Sequence, residues 1–165
     1  MIETQTFRLE RSSSLREVHS EENEDLNLNE LILEAGEFGR QVRFIQSNFK
    51  GPDYFGLDGN LSDLQNLLQK DSIELTRCQL KLDQTQIETL RNKSYKVFYK
   101  KTMQVKEDTE NLSYLATGLK DLIHSFRLAA KEAGKGEFYA IKETLDRMVD
   151  DLENSHWIFS MFVRY

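Results

Sequence analysis

The chain has 165 residues, a formal net charge of −6, 39% hydrophobic and 30% charged residues. That length matches one domain able to bury a single core, and no stretch approaches the ~18 apolar residues of a membrane-spanning helix. One proline and eight glycines are too few turn-formers for a many-stranded sandwich or barrel, and the acidic balance opposes nucleic acid and anionic membranes.

Residues 1–25 stand apart from the rest. Ser12, Ser13 and Ser14 lie between Arg11 and Arg16, and an acidic run follows at Glu21, Glu22, Glu24 and Asp25. This composition reads as a solvated polar arm, with the serine cluster a place where phosphorylation would change charge. No apolar run of a signal peptide occurs here.

Residues 26–49 read as the first helix. Leu28, Leu31, Ala35, Phe38, Val42, Ile45 and Phe49 fill successive heptad positions, opposite Glu30, Glu34, Glu37 and Arg40. Asn27 and Glu30 resemble a capping box. Gly51-Pro52-Asp53 stops that helix, and residues 51–59 read as a loop whose Tyr54, Phe55 and Leu57 plug one end of a bundle. A second helix is expected from an Asn60 N-cap. Its stripe is Leu61, Leu64, Leu68, Leu75, Cys78 and Leu82, with Asp71 where an apolar residue is wanted. No breaker interrupts residues 60–105, so one long helix or two with a kink near residues 83–86 are both open.

Residues 108–133 carry Leu112, Leu115, Leu119, Leu122, Phe126, Ala129 and Ala133 in heptad register. Ala116, Ile123 and Ala130 widen that face enough for two neighbours. Gly134 reads as the helix-ending glycine and Gly136 as part of a tight turn. The last helix, residues 137–163, then pairs with it as an antiparallel hairpin.

Chemistry-bearing patterns are sparse. No GxxxxGK[ST], GxGxxG or GxSxG occurs. Cys78 is the single cysteine, which excludes an intramolecular disulfide and a cysteine-ligated zinc site. It reads as a small core residue and fits a reducing compartment. Asp121 with His124, and Glu153 with His156, are acidic-x-x-His steps of the kind that build metal centres in helical bundles. Helical register turns Asp121 and His124 to water and Glu153 away from the core. No metal ligand, cofactor or catalytic residue is therefore expected.

Two surfaces remain as candidates. Arg91, Lys93, Tyr95, Lys96, Tyr99, Lys100, Lys101 and Lys106 interleave cations with aromatic rings, a pattern suited to an acidic partner or to nucleic acid. Trp157, Ile158 and Met161 lie off the core stripe of the last helix and ask for a second cover, together with Tyr54 and Phe55.

The sequence thus predicts an all-α, antiparallel four- or five-helix bundle over residues 26–165 with a polar N-terminal arm. The functional expectation is a non-enzymatic helical interaction module, a subunit, adaptor or chaperone-like protein that binds a protein partner or itself in the cytoplasm, or in the nucleus of a eukaryote. A nucleic-acid-contacting subunit using residues 91–106 and a metal-dependent bundle enzyme are the alternatives. Insertion into a membrane is not expected.

Overall fold

The computed structural model describes residues 26–51, 54–82 and 107–163. They form four helices: α1 (Asn29–Asn48), α2 (Tyr54–Leu82), α3 (Asp108–Lys135) and α4 (Tyr139–Val163). Every heptad position named for α1 is buried, as are Leu112, Leu115, Leu119, Leu122, Phe126 and Ala133 of α3. The apolar spacing therefore did what a 3.6-residue period requires: it placed one stripe of each helix in a common core.

Cross-links between helices set the topology. Gln46 of α1 donates from Nε2 to Asp58 Oδ1 (2.7 Å) and to Ser62 Oγ (2.9 Å) of α2, while near the other end Leu28 N–H donates to Gln79 Oε1 (2.7 Å). The two helices are thus antiparallel. Tyr114 of α3 donates to Gln41 Oε1 of α1 (2.8 Å), and Ser125 Oγ donates to Glu34 Oε1 (3.0 Å), so α3 also runs against α1. Arg127 of α3 pairs with Glu153 of α4, and Arg147 of α4 with Glu74 of α2 (2.7 Å).

Each neighbouring pair is therefore antiparallel, whereas α2 and α3 point the same way. The link between Leu82 and Asp108 has to return the length of α2, which for 29 residues is about 43 Å. Two hairpins joined by one such crossover make an up-down-down-up bundle. Residues 1–25 and residues 83–105, where one long helix or two were both open, lie outside the described residues.

Several boundaries differ from the sequence reading. The expected loop at residues 54–59 is helical, because α2 starts at Tyr54. Gly56 and Gly59 favour a loop in sequence, but each glycine costs a helix only about 1 kcal/mol, which tertiary packing outweighs. Asn60 is accordingly no N-cap. Its Nδ2 donates to the Gly56 carbonyl one turn back (3.1 Å). Leu57 is fully buried, as a plug would be, but Phe55 is 91% exposed and plugs nothing. The capping box at Asn27 and Glu30 is absent. Asn27 Oδ1 accepts from Asn29 N–H (2.9 Å), and a neighbouring donor, Leu28 N–H, is held by Gln79 from across the hairpin. At the other turn α3 continues through Gly134 to Lys135, and the left-handed residue is Glu137 (φ 62°) rather than a glycine.

Candidate functional site

Among the described residues the buried polar side chains are Gln41, Asp71, Gln79 and Asn111. The two glutamines have partners: Gln41 bonds Tyr114, and Gln79 satisfies the Leu28 amide. Asp71 differs. It is wholly buried on α2, and neither carboxylate oxygen has a hydrogen-bond partner among the described residues. Such a group is costly to bury as an anion unless something compensates it.

The surroundings of Asp71 fix its chemistry. Burial, and after it the charge of Asp151 of α4, raise its pKa from 3.8 to about 6 against the opposing pull of Lys70 and Arg147. Arg147 does not neutralise it directly, because its guanidinium is spent on Glu74. That pairing in turn holds the Arg147 pKa above its ordinary value.

Asp151, whose charge acts on this buried acid, is itself only half-buried. It lines a cleft of about 280 Å³ on the α2–α4 seam with Asn60, Asp63, Asn154 and Ser155, over a floor that includes Leu64 and Phe159. The polar lining is rich in oxygen donors, the ligand type of hard cations. The single sequence-level signal for this site was Asp71 itself, an acid at an apolar heptad position. Nothing in the linear pattern of α4 singled out Asp151.

The other candidates fall as follows. Trp157 is 63% exposed and Met161 41%, whereas Ile158 is half-buried against α2 in the cleft just described. Phe55 is exposed on the first turn of α2, at the same end of the bundle; the side chain of Tyr54 lies outside the described residues. The whole basic-aromatic patch, Arg91 to Lys106, also lies outside them. Cys78 is buried and its thiol pKa is raised, chiefly by burial, as a core role demands.

Asp121 and His124 face solvent, Glu153 is committed to Arg127, and His156 stands beside Ser160 on its own helix (3.4 Å). Among the described residues no three His, Cys, Asp or Glu side chains converge on one point.

No family model and no curated protein matches this chain. A solved structure does: the DPS protein from Vibrio cholerae O1, described as a member of a broad superfamily of ferritin-like diiron-carboxylate proteins. The TM-score is 0.68 over 82% of this chain and 86% of that one, at 19% identity. The fold is ferritin-like. One crossover joining two antiparallel hairpins is the connectivity such bundles share.

This likeness corrects the functional expectation. A non-enzymatic adaptor or chaperone-like module was inferred from helix packing and the want of motifs, and both are equally properties of a ferritin-like bundle, whose matched example is a diiron-carboxylate protein. Packing pattern alone does not separate the two, because the same heptad stripes build both. The described residues do not fit a dinuclear centre, however. Such a centre needs inward carboxylates and histidines from four helices, and the described interior offers one carboxylate, Asp71, among amides and apolar side chains. Among the described residues no helix is long and apolar enough to cross a membrane.

Proposed function

We propose that this chain is a cation-binding ferritin-like bundle, with Asp71 and Asp151 on the α2–α4 seam as its acceptor groups. The observation that carries this reading is the fully buried Asp71 carboxylate without a hydrogen-bond partner among the described residues. Below about pH 6 a proton neutralises it. Above that, the buried negative charge beside Asp151 calls for another cation. Two carboxylates with water completing the shell suit a hard divalent ion such as magnesium or manganese. Neighbouring oxygen donors at Asp63, Asn154 and Ser155 support the same class.

The reading is one of binding rather than turnover. The one thiol is buried with a raised pKa, and among the described residues the Ser160–His156 pair has no third group orienting it. A reduced cysteine supports a cytoplasmic setting.

The test is thermal unfolding at pH 7.5 with and without millimolar manganese after chelation. Wild type should gain several degrees from the ion, while Asp71→Asn should gain little, since an amide supplies no charge to the ion. Equal gains in both proteins would remove Asp71 from the site.

We further infer that copies of the chain self-associate through the C-terminal half of α4. Exposed Trp157 and Met161, with Val163 beyond them, offer apolar area worth about 25 cal/mol per Å² when covered. Replacing Trp157 and Met161 by Gln should leave the helical signal intact and lower the solution mass seen by light scattering. An unchanged mass across concentration would exclude this face.

A further inference from the structure

The groove between the start of α1 and the C-terminal half of α3 is a cavity of about 370 Å³. Its floor is apolar, with Leu31, Leu128 and Ala129, and Leu128 remains 49% exposed. Its rim is acidic. Glu30 and Glu34 descend from α1, and Glu132 rises from α3. Glu132 is paired with Lys135 (2.7 Å), but neither Glu30 nor Glu34 forms an ion pair among the described residues. Among the described residues Glu34 accepts from the Ser125 hydroxyl, and burial with Asp121 and Glu30 nearby holds its pKa above the ordinary carboxylate value. An apolar trough with uncompensated carboxylates is complementary to a segment carrying both guanidinium groups and apolar side chains.

The chain supplies such a segment at the right place. Leu26, the first described residue, itself lines the groove. Immediately before it come the residues Phe7-Arg8-Leu9-Glu10-Arg11-Ser12-Ser13-Ser14-Leu15-Arg16-Glu17-Val18 and then the linker to Asp25. Extended chain covers about 3.3 Å per residue, so Arg16, ten positions before Leu26, reaches some 33 Å. Glu30 and Glu34 lie one helical turn apart, about 6 Å along α1. The reach exceeds the need severalfold, and a tethered segment binds at a millimolar effective concentration.

We propose that the N-terminal arm folds back into the α1–α3 groove, with Arg11 and Arg16 against Glu30 and Glu34 and Leu15 over Leu128 and Ala129. The acidic run at residues 21–25 is the spacer that makes the turn, kept out of the groove by the like charge of its rim. The arm thereby covers the exposed leucine and balances carboxylates that have no ion pair among the described residues.

Amide hydrogen exchange on the full chain tests this directly. Residues 7–18 should be protected at least about tenfold in wild type relative to Arg11→Glu/Arg16→Glu, and the protection should fall in 0.5 M salt, as exposed charge pairs do. Glu30→Arg/Glu34→Arg should lose protection in the same way, and combining both pairs of reversals should restore it. Circular dichroism establishes that each variant is folded. Equal exchange of the arm in all four proteins would overturn the proposal. So would protection that rises with protein concentration, which would assign the groove to the arm of a second copy. The cation test above reads Asp71 at the α2–α4 seam, so either result stands without the other.

Discussion

Leu119→Asp should abolish the cooperative unfolding transition at 37 °C or lower the unfolding free energy by more than about 5 kcal/mol. Leu119 is wholly buried in the middle of α3, the helix that packs on both α1 and α4. Truncation to alanine alone costs about 2–5 kcal/mol for lost contacts and the cavity. Aspartate adds a charge with no partner in an apolar surround, which costs several more. A domain of this size has only about 5–15 kcal/mol in hand. Urea unfolding followed by circular dichroism reads the effect, with Leu119→Ala as the intermediate case. An unfolding midpoint within a few degrees of wild type would mean that α3 does not hold the core as described.

The reason this effect is foreseeable from sequence is that heptad spacing is a statement about geometry. Leu28 to Phe49, Leu61 to Cys78 and Leu112 to Ala133 each mark one helix face, and burial of those faces follows. Helix ends are less legible, since tertiary partners decide them. Gln79 holds the Leu28 amide just ahead of α1 from fifty-one positions away, and no local pattern encodes that. Gly56 and Gly59 look like a loop until the buried Leu57 draws the segment into α2. Topology is the least legible level. The parallel course of α2 and α3 rests on pairings such as Glu34–Ser125 and Glu74–Arg147, between residues with no sequence relation. Gly118 is another case: a side chain there would run into the ring of Phe38, so this glycine marks where α1 and α3 approach closely. In sequence it is merely a glycine inside a helix.

The candidate site was half visible. Asp71 announces itself as an acid in an apolar stripe, whereas its partner Asp151 sits among the acids at Asp150 and Glu153 and is picked out only by the packing of α4 on α2. Conversely, the acidic-x-x-His steps have a legible spacing and no common focus, because their helix faces do not point at one another. Spacing places ligands on a face. Only the assembled bundle determines which faces meet.

Asp71 also gives the fold a pH dependence that one substitution should remove. Its pKa is about 6 in the folded chain against 3.8 in the unfolded. Below pH 3.8 both states hold the proton and the carboxyl costs nothing extra. Between 3.8 and 6 the unfolded chain gives up its proton first, so stability falls as pH rises. Above 6 the full penalty is present. A difference of about two pKa units at 1.36 kcal/mol each is on the order of 3 kcal/mol. Burial sets most of this shift, and the charges that face the carboxyl are Asp151 and Arg147 from α4 and Lys70 and Glu74 from α2. Asp71→Asn keeps the shape of the protonated acid and cannot ionise. In the presence of a chelator the variant should match wild type at about pH 3 and exceed it by about 3 kcal/mol at pH 8, which for a domain of this size is roughly 6–12 °C in Tm. Adding manganese at pH 8 should narrow the gap from the wild-type side, since the ion takes over the proton's role. Parallel pH profiles for the two proteins would show that Asp71 meets water or a partner in solution and is not the buried, uncompensated acid on which the cation-binding reading rests.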